Sequence, residues 1–217
     1  MFSNAIKIFS VGGIEIKIDA SWLIIASLVT WSLSRQYFPQ VLPDASSTTY
    51  LAMGLVGMLG LFSSLLLHEL SHSVVAIRRG IPIKSITLFI FGGMAELGTE
   101  PTSARDEFWI AVAGPAMSFC LASGFWAFAQ TVWLASGPFA LVEVLLYLAL
   151  INLVLALFNL VPAFPLDGGR VLRAYLWHKS GDVLAATQTA ARSGTFFGYL
   201  LMALGVLALF QGAFVAG

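Results

Sequence analysis

His68, Glu69 and His72 form the pattern H-E-x-x-H within the stretch LLLHELSHSVVAIRRG, residues 65–80. On an α-helix, side chains four residues apart lie on one face, about 6 Å apart along the axis, so two imidazoles at that spacing can bind one zinc ion. Glu69, one residue further on, can accept a proton from water on that zinc and act as general base. The competing reading is a pair of buried histidines satisfied by neighbouring helices. It is weaker because the motif uses two of the three histidines in the chain and places them in an apolar run, where ionisable groups are costly and usually functional.

A catalytic zinc usually takes three protein ligands and keeps a fourth position for water. Glu96, Glu143, Asp167 and His178 are the candidates for the third. Glu143 opens a span at the opposite end from Arg78 and is disfavoured, and His178 follows Trp177 in a short basic segment that reads as interfacial. Asp167 is preferred. It lies in FNLVPAFPLDGGR, where Pro162 and Pro165 interrupt any helix and Gly168 and Gly169 permit close backbone approach. An N-cap role for Asp167 at the start of the following GGRVLRAYLW helix stays open. Glu96 reads as a polar hairpin-end residue, with a substrate-facing role as the alternative.

These residues need elements to carry them, and composition says which kind. With 59% apolar and 10% charged residues, the chain belongs with membrane proteins. Hydropathy predicts five spans, at about 20–37, 51–77, 108–135, 138–161 and 185–213, each near the roughly 20 residues a bilayer requires. The fold class expected is an α-helical polytopic membrane protein. Between the second and third spans, IPIKSITLFIFGGMAELG, residues 81–98, is rich in β-branched and aromatic residues around central glycines and predicts a membrane-associated β-hairpin, with an ordinary surface hairpin as the alternative. Gly114 and Pro115 read as packing and kink residues, and Cys120 as a small packing residue.

Lys7 and Lys17 precede the first span. Arg78, Arg79, Lys84 and Arg105 lie between the second and third, and Arg170, Arg173 and Lys179 follow the fourth, whereas segments 38–50 and 135–138 carry no Lys or Arg. The positive-inside rule therefore puts the N-terminus and the active-site side in the cytoplasm. Zero net charge and the lack of a basic stripe argue against nucleic acid as a ligand.

H-E-x-x-H followed about 90 residues later by Asn159, Pro162, Asp167 and Gly168, in the pattern N-x-x-P-x-x-x-x-D-G, resembles the site-2 protease family of intramembrane zinc metalloproteases, prokaryotic type. The likeness runs over nearly the whole chain and includes FGGMAEL and AGPAMS. It implies one zinc per chain on His68, His72 and Asp167, with Glu69 as base. Asn159 would stabilise an oxyanion or orient substrate, although helix packing is an equal reading from chemistry alone. Gly92 and Gly93 would present a hairpin edge to substrate, against the alternative of a simple turn. The implied substrate is a membrane protein with a single span, such as an anti-sigma factor or a membrane-bound regulator, in the bilayer of a bacterial or archaeal cell. A captured substrate strand is expected to pair with the outward N–H groups of residues 86–91. The family generally continues into a sixth span and often into CBS domains, so residues 1–217 are expected to be a single metalloprotease core lacking both. A metal or proton transporter using the same His/Glu cluster is the alternative function. It would more naturally show repeated broken helices.

Overall fold

The computed structural model describes residues 5–90 and 92–215; Phe91, within the expected hairpin, lies outside them. Two N-terminal strands, β1 (Ile6–Val11) and β2 (Ile14–Ile18), are followed by α1 (Ser21–Ser32), a π-helical turn (Leu33–Tyr37), α2 (Phe38–Val41) and α3 (Ser47–Arg78). Strands β3 (Ile83–Phe89) and β4 (Gly92–Leu97) come next, then α4 (Ala104–Leu134), α5 (Phe139–Asn159), α6 (Asp167–Ser180) and α7 (Val183–Val215). Two compact units divide these elements: Met1–Glu100 with Ala113–Leu157, and Pro101–Val112 with Phe158–Gly217.

Among the described residues four helices are long and apolar enough to cross a membrane: Ser47–Arg78, Ala104–Leu134, Phe139–Asn159 and the Val183–Phe210 part of α7. The expected first span is helical too, but broken. Its π-helical turn immediately precedes Phe38 and Pro39, and a proline both lacks the N–H of the helical ladder and crowds the carbonyl four residues back, so a widened turn accommodates it.

In the first unit, α3 starts at Ser46, whose Oγ accepts the Thr49 N–H at 3.1 Å, satisfying one donor of the first turn. Small residues then let its neighbours approach. A Cβ at Gly54 would stand 2.9 Å from the Thr30 carbonyl oxygen, one at Gly57 3.0 Å from Leu33, and one at Gly60 2.6 Å from Leu148. Above the last of these, buried Asn152 of α5 donates through Nδ2 to Ser64 Oγ at 3.0 Å, tying α5 to the turn of α3 that precedes His68.

The four strands form one sheet in the order β1-β2-β3-β4. β1 and β2 are antiparallel, β3 and β4 are antiparallel, and β2 pairs with β3 in parallel from Glu15↔Ser85 to Ile18↔Leu88. The hairpin expected at 81–98 is present, yet β3 is an interior strand, flanked by β2 and β4. Residues 86–88 therefore meet neighbours on both sides, and the expectation that outward N–H groups run from 86 to 91 is corrected for these three. The hairpin's open edge is β4, because the N-terminal strands, absent from the hydropathy reading, cover the other side of β3.

Candidate metal centre

In the first unit, the helical repeat of α3 brings His68 and His72 together. Their Nε2 atoms lie 3.2 Å apart, the rings cross at 79°, and the side chains are 3% and 7% exposed. Two imidazole nitrogens at that distance either make an N–H···N hydrogen bond or converge on a cation, because two bare lone pairs would repel. Space is provided beside them. A Cβ at Gly114 of α4 would overlap both Nε2 atoms. Converging imidazole nitrogens below a position that only glycine leaves open fit zinc, which favours imidazole nitrogen at about 2.0–2.1 Å. His68 Nδ1 lies 2.9 Å from Ser118 Oγ, one turn along α4 from Gly114.

Glu69 is half-buried on α3 and lies against β4, where a Cβ at Gly93 would stand 2.7 Å from its Cγ. The two hairpin glycines thus differ. Gly92 has φ of 127° and open space where a Cβ would be, which is the conformational demand of a tight turn, whereas Gly93 is needed for room beside Glu69.

In the second unit, α5 ends at half-buried Asn159 and the chain turns through residues 160–166 into α6. Asp167 is the first residue of α6 and is 8% exposed; the N-cap position is Leu166, whose side chain makes no capping bond. Asp167 thus stands one residue past the N-cap position. Three glycines seat the turn. A Cβ at Gly168 would collide with the carbonyls of Leu160 and Val161, and those at Gly169 and Gly194 with the backbone of Phe164. Arg173, one and a half turns along α6, has its guanidinium 5.7 Å from the centre of the Phe164 ring and donates through Nε to Glu107 Oε1 at 2.6 Å, with Nη2 also on that oxygen. Glu107 is fully buried.

His68 and His72 in the first unit, and Asp167 in the second, are each buried and each offer one ligand atom. Glu96 is exposed and accepts the Ser85 hydroxyl at 3.1 Å, Glu143 is half-buried near the start of α5, and His178 is exposed in the last turn of α6. Sequence reasoning missed Ser118 and the Glu107–Arg173 pair. A charged residue at the border of a span is a signal that a partner is needed; a lone serine in an apolar helix carries almost none.

A zinc-binding helix motif in a chain of long apolar helices defines a multi-pass membrane metalloprotein. The family model of Peptidase family M50 matches residues 56–138 and 133–204. The chain is 41% identical over 214 residues, 99% of its length and 54% of the relative's, to the putative zinc metalloprotease Rip3 of Mycobacterium tuberculosis. It is 39% identical over 149 residues, 69% of its length and 42% of the relative's, to the zinc metalloprotease MJ0392 of Methanocaldococcus jannaschii. The solved site-2 protease from Methanocaldococcus jannaschii superposes with a TM-score of 0.65 at 32% identity, covering 94% of this chain and 86% of that one. This chain belongs to peptidase family M50, as its motifs led us to expect, and the transporter alternative is set aside. It spans about half the length of the curated relatives it matches.

Proposed function

We propose that residues 1–217 form the core of an intramembrane zinc endopeptidase, hydrolysing peptide bonds in or near the transmembrane helices of other membrane proteins. The observation that carries this reading is the convergence of two buried imidazole nitrogens, 3.2 Å apart, under the gap left by Gly114. His68, His72 and Asp167 hold one zinc per chain. When bound, zinc supplies Lewis-acid polarisation and makes water acidic enough to lose a proton near neutral pH. Glu69 takes that proton and delivers it to the departing amine nitrogen. Asn159 donates from its side-chain amide to the oxygen on which charge develops.

An α-helix hides its peptide carbonyls in hydrogen bonds, so the substrate must unwind before attack, and each freed polar group needs a partner within the membrane. The edge of β4 supplies partners to an extended strand, with Gly92 and Gly93 at its start. Substrates with a single span and a regulatory load, such as an anti-sigma factor or a membrane-bound regulator, suit such a site. The enzyme resides in the plasma membrane with its N-terminus and site toward the cytoplasm. Support comes from the basic residues flanking the spans and from the pairing of β2 with β3, which keeps the N-terminal strands and the hairpin on one side of any bilayer crossed between them.

Cleavage of a single-span substrate in liposomes, compared for wild type, Glu69→Gln and the double variant His68→Ala/His72→Ala, tests this. Wild type should hold one zinc and cleave, Glu69→Gln should hold zinc without turnover, and the double variant should hold none. Wild-type turnover by Glu69→Gln, or zinc near zero in repleted wild type, overturns the reading.

A further inference from the structure

Serine and threonine in apolar helices commonly turn their hydroxyl back onto the carbonyl one turn earlier. Thr30 does so to Ala26, Ser64 to Gly60 and Ser73 to Glu69. Ser118 does not. Its Oγ lies 2.9 Å from His68 Nδ1, fifty residues away in sequence, and the residue is fully buried. Gly114 and Ser118 stand four apart on α4 and so share a face: the first leaves room beside the two Nε2 atoms, and the second meets the far nitrogen of one ring.

We propose that Ser118 is a positioning residue of the metal centre, accepting a hydrogen bond from His68 Nδ1–H and so holding the imidazole in the tautomer whose Nε2 lone pair faces the metal. The inference rests on the zinc site proposed above. A neutral imidazole carries its proton on one nitrogen only, so an acceptor at Nδ1 decides that Nε2 is the ligand. It also fixes the ring plane about its long axis. In this apolar setting nothing else about Ser118 favours a hydroxyl, since alanine would fill the same helix position without a polar group to satisfy.

Partners of this kind typically govern metal affinity by on the order of 10–100-fold. The test is zinc affinity of the full chain in detergent micelles, measured by competition with a chelator, together with the visible absorption of the cobalt-substituted protein. Ser118→Ala should weaken zinc by about 10–100-fold and shift the cobalt spectrum, while Ser118→Thr, which keeps the hydroxyl, should restore both toward wild type. Ser118→Cys, similar in size but a poor acceptor, should resemble Ser118→Ala and guards against a packing defect peculiar to alanine. Unchanged affinity and spectrum in Ser118→Ala, or equal weakening in Ser118→Thr, would overturn the inference while leaving the zinc site standing. Absence of zinc from repleted wild type would instead overturn both.

Discussion

Gly93 of β4 lies so close to Glu69 of α3 that a Cβ at position 93 would stand 2.7 Å from the Glu69 Cγ. The rotamer of the proposed base and the path of the sheet edge are therefore set together. Gly93→Ala should push the carboxylate aside, lowering turnover by about 10–100-fold, since a displacement near 1 Å costs that much in positioned catalysis, with zinc content unchanged. Gly92→Ala meets no neighbour but strains a φ of 127°, so its effect should fall on stability, about 1–3 kcal/mol. Steady-state rates and thermal unfolding of the two variants separate these outcomes; equal loss of turnover without loss of stability at both positions would contradict the distinction.

A single methyl group should empty the metal centre. Gly114→Ala places its Cβ onto His68 Nε2 and His72 Nε2, so zinc stoichiometry should drop toward zero while helical circular dichroism stays at the level of the metal-free wild type. Normal zinc in this variant would mean that α4 does not define the space.

Strand capture should be read out on β4, not β3. Proline removes one backbone N–H, so a scan over residues 93–96 should impair turnover at alternate positions, those whose N–H points away from β3. Proline within 86–88 should disrupt the sheet itself, because these residues are paired on both sides. A scan of 93–96 in which every variant cleaves normally would remove the edge from the mechanism.

The Glu107–Arg173 pair should behave as a buried ion pair. Removing one partner, as in Arg173→Met, leaves the fully buried Glu107 carboxylate uncompensated and should cost about 3–5 kcal/mol, whereas Glu107→Leu combined with Arg173→Met should cost far less. Denaturation in micelles measures the difference. Additive losses would show that the two residues do not depend on each other.

Orientation is open to labelling in a Cys120→Ala background. A membrane-impermeant thiol reagent applied outside should modify Ser47→Cys and spare Ser103→Cys; the reverse pattern would invert the topology.

The histidine pair was legible because a helix converts a spacing of four into a shared face, whatever surrounds it. The break between α5 and Asp167 was legible because prolines and glycines announce an interrupted helix. Ser118, Gly114 as a cradle, and the Glu107–Arg173 pair were not, since each depends on a partner 42 to 66 residues away and on side-chain volume, neither of which leaves a periodic trace. The N-terminal strands did leave one: Ile14, Ile16 and Ile18 alternate with Glu15 and Lys17 after Gly12 and Gly13, a period-two pattern that a 20-residue hydropathy view averages away. The irregular first helix was hidden for a related reason, because hydropathy reports length and apolarity but not the ladder that Pro39 interrupts.

Parallel pairing of β2 with β3 also sets a schedule for biogenesis. Ile18 ends one strand and Ile83 begins its partner, so during synthesis at roughly 5–20 residues per second the finished N-terminal hairpin waits on the order of 3–13 s for the edge it will join. An unpaired strand edge exposed for seconds invites wrong partners. Lys7 and Lys17 flank Glu15 at 2.8 and 3.1 Å on this hairpin and hold its carboxyl below the usual carboxylate range, keeping it charged. Three charges on eleven residues make the waiting ribbon a poor template for aggregation until the intervening helices have been threaded and β3 arrives.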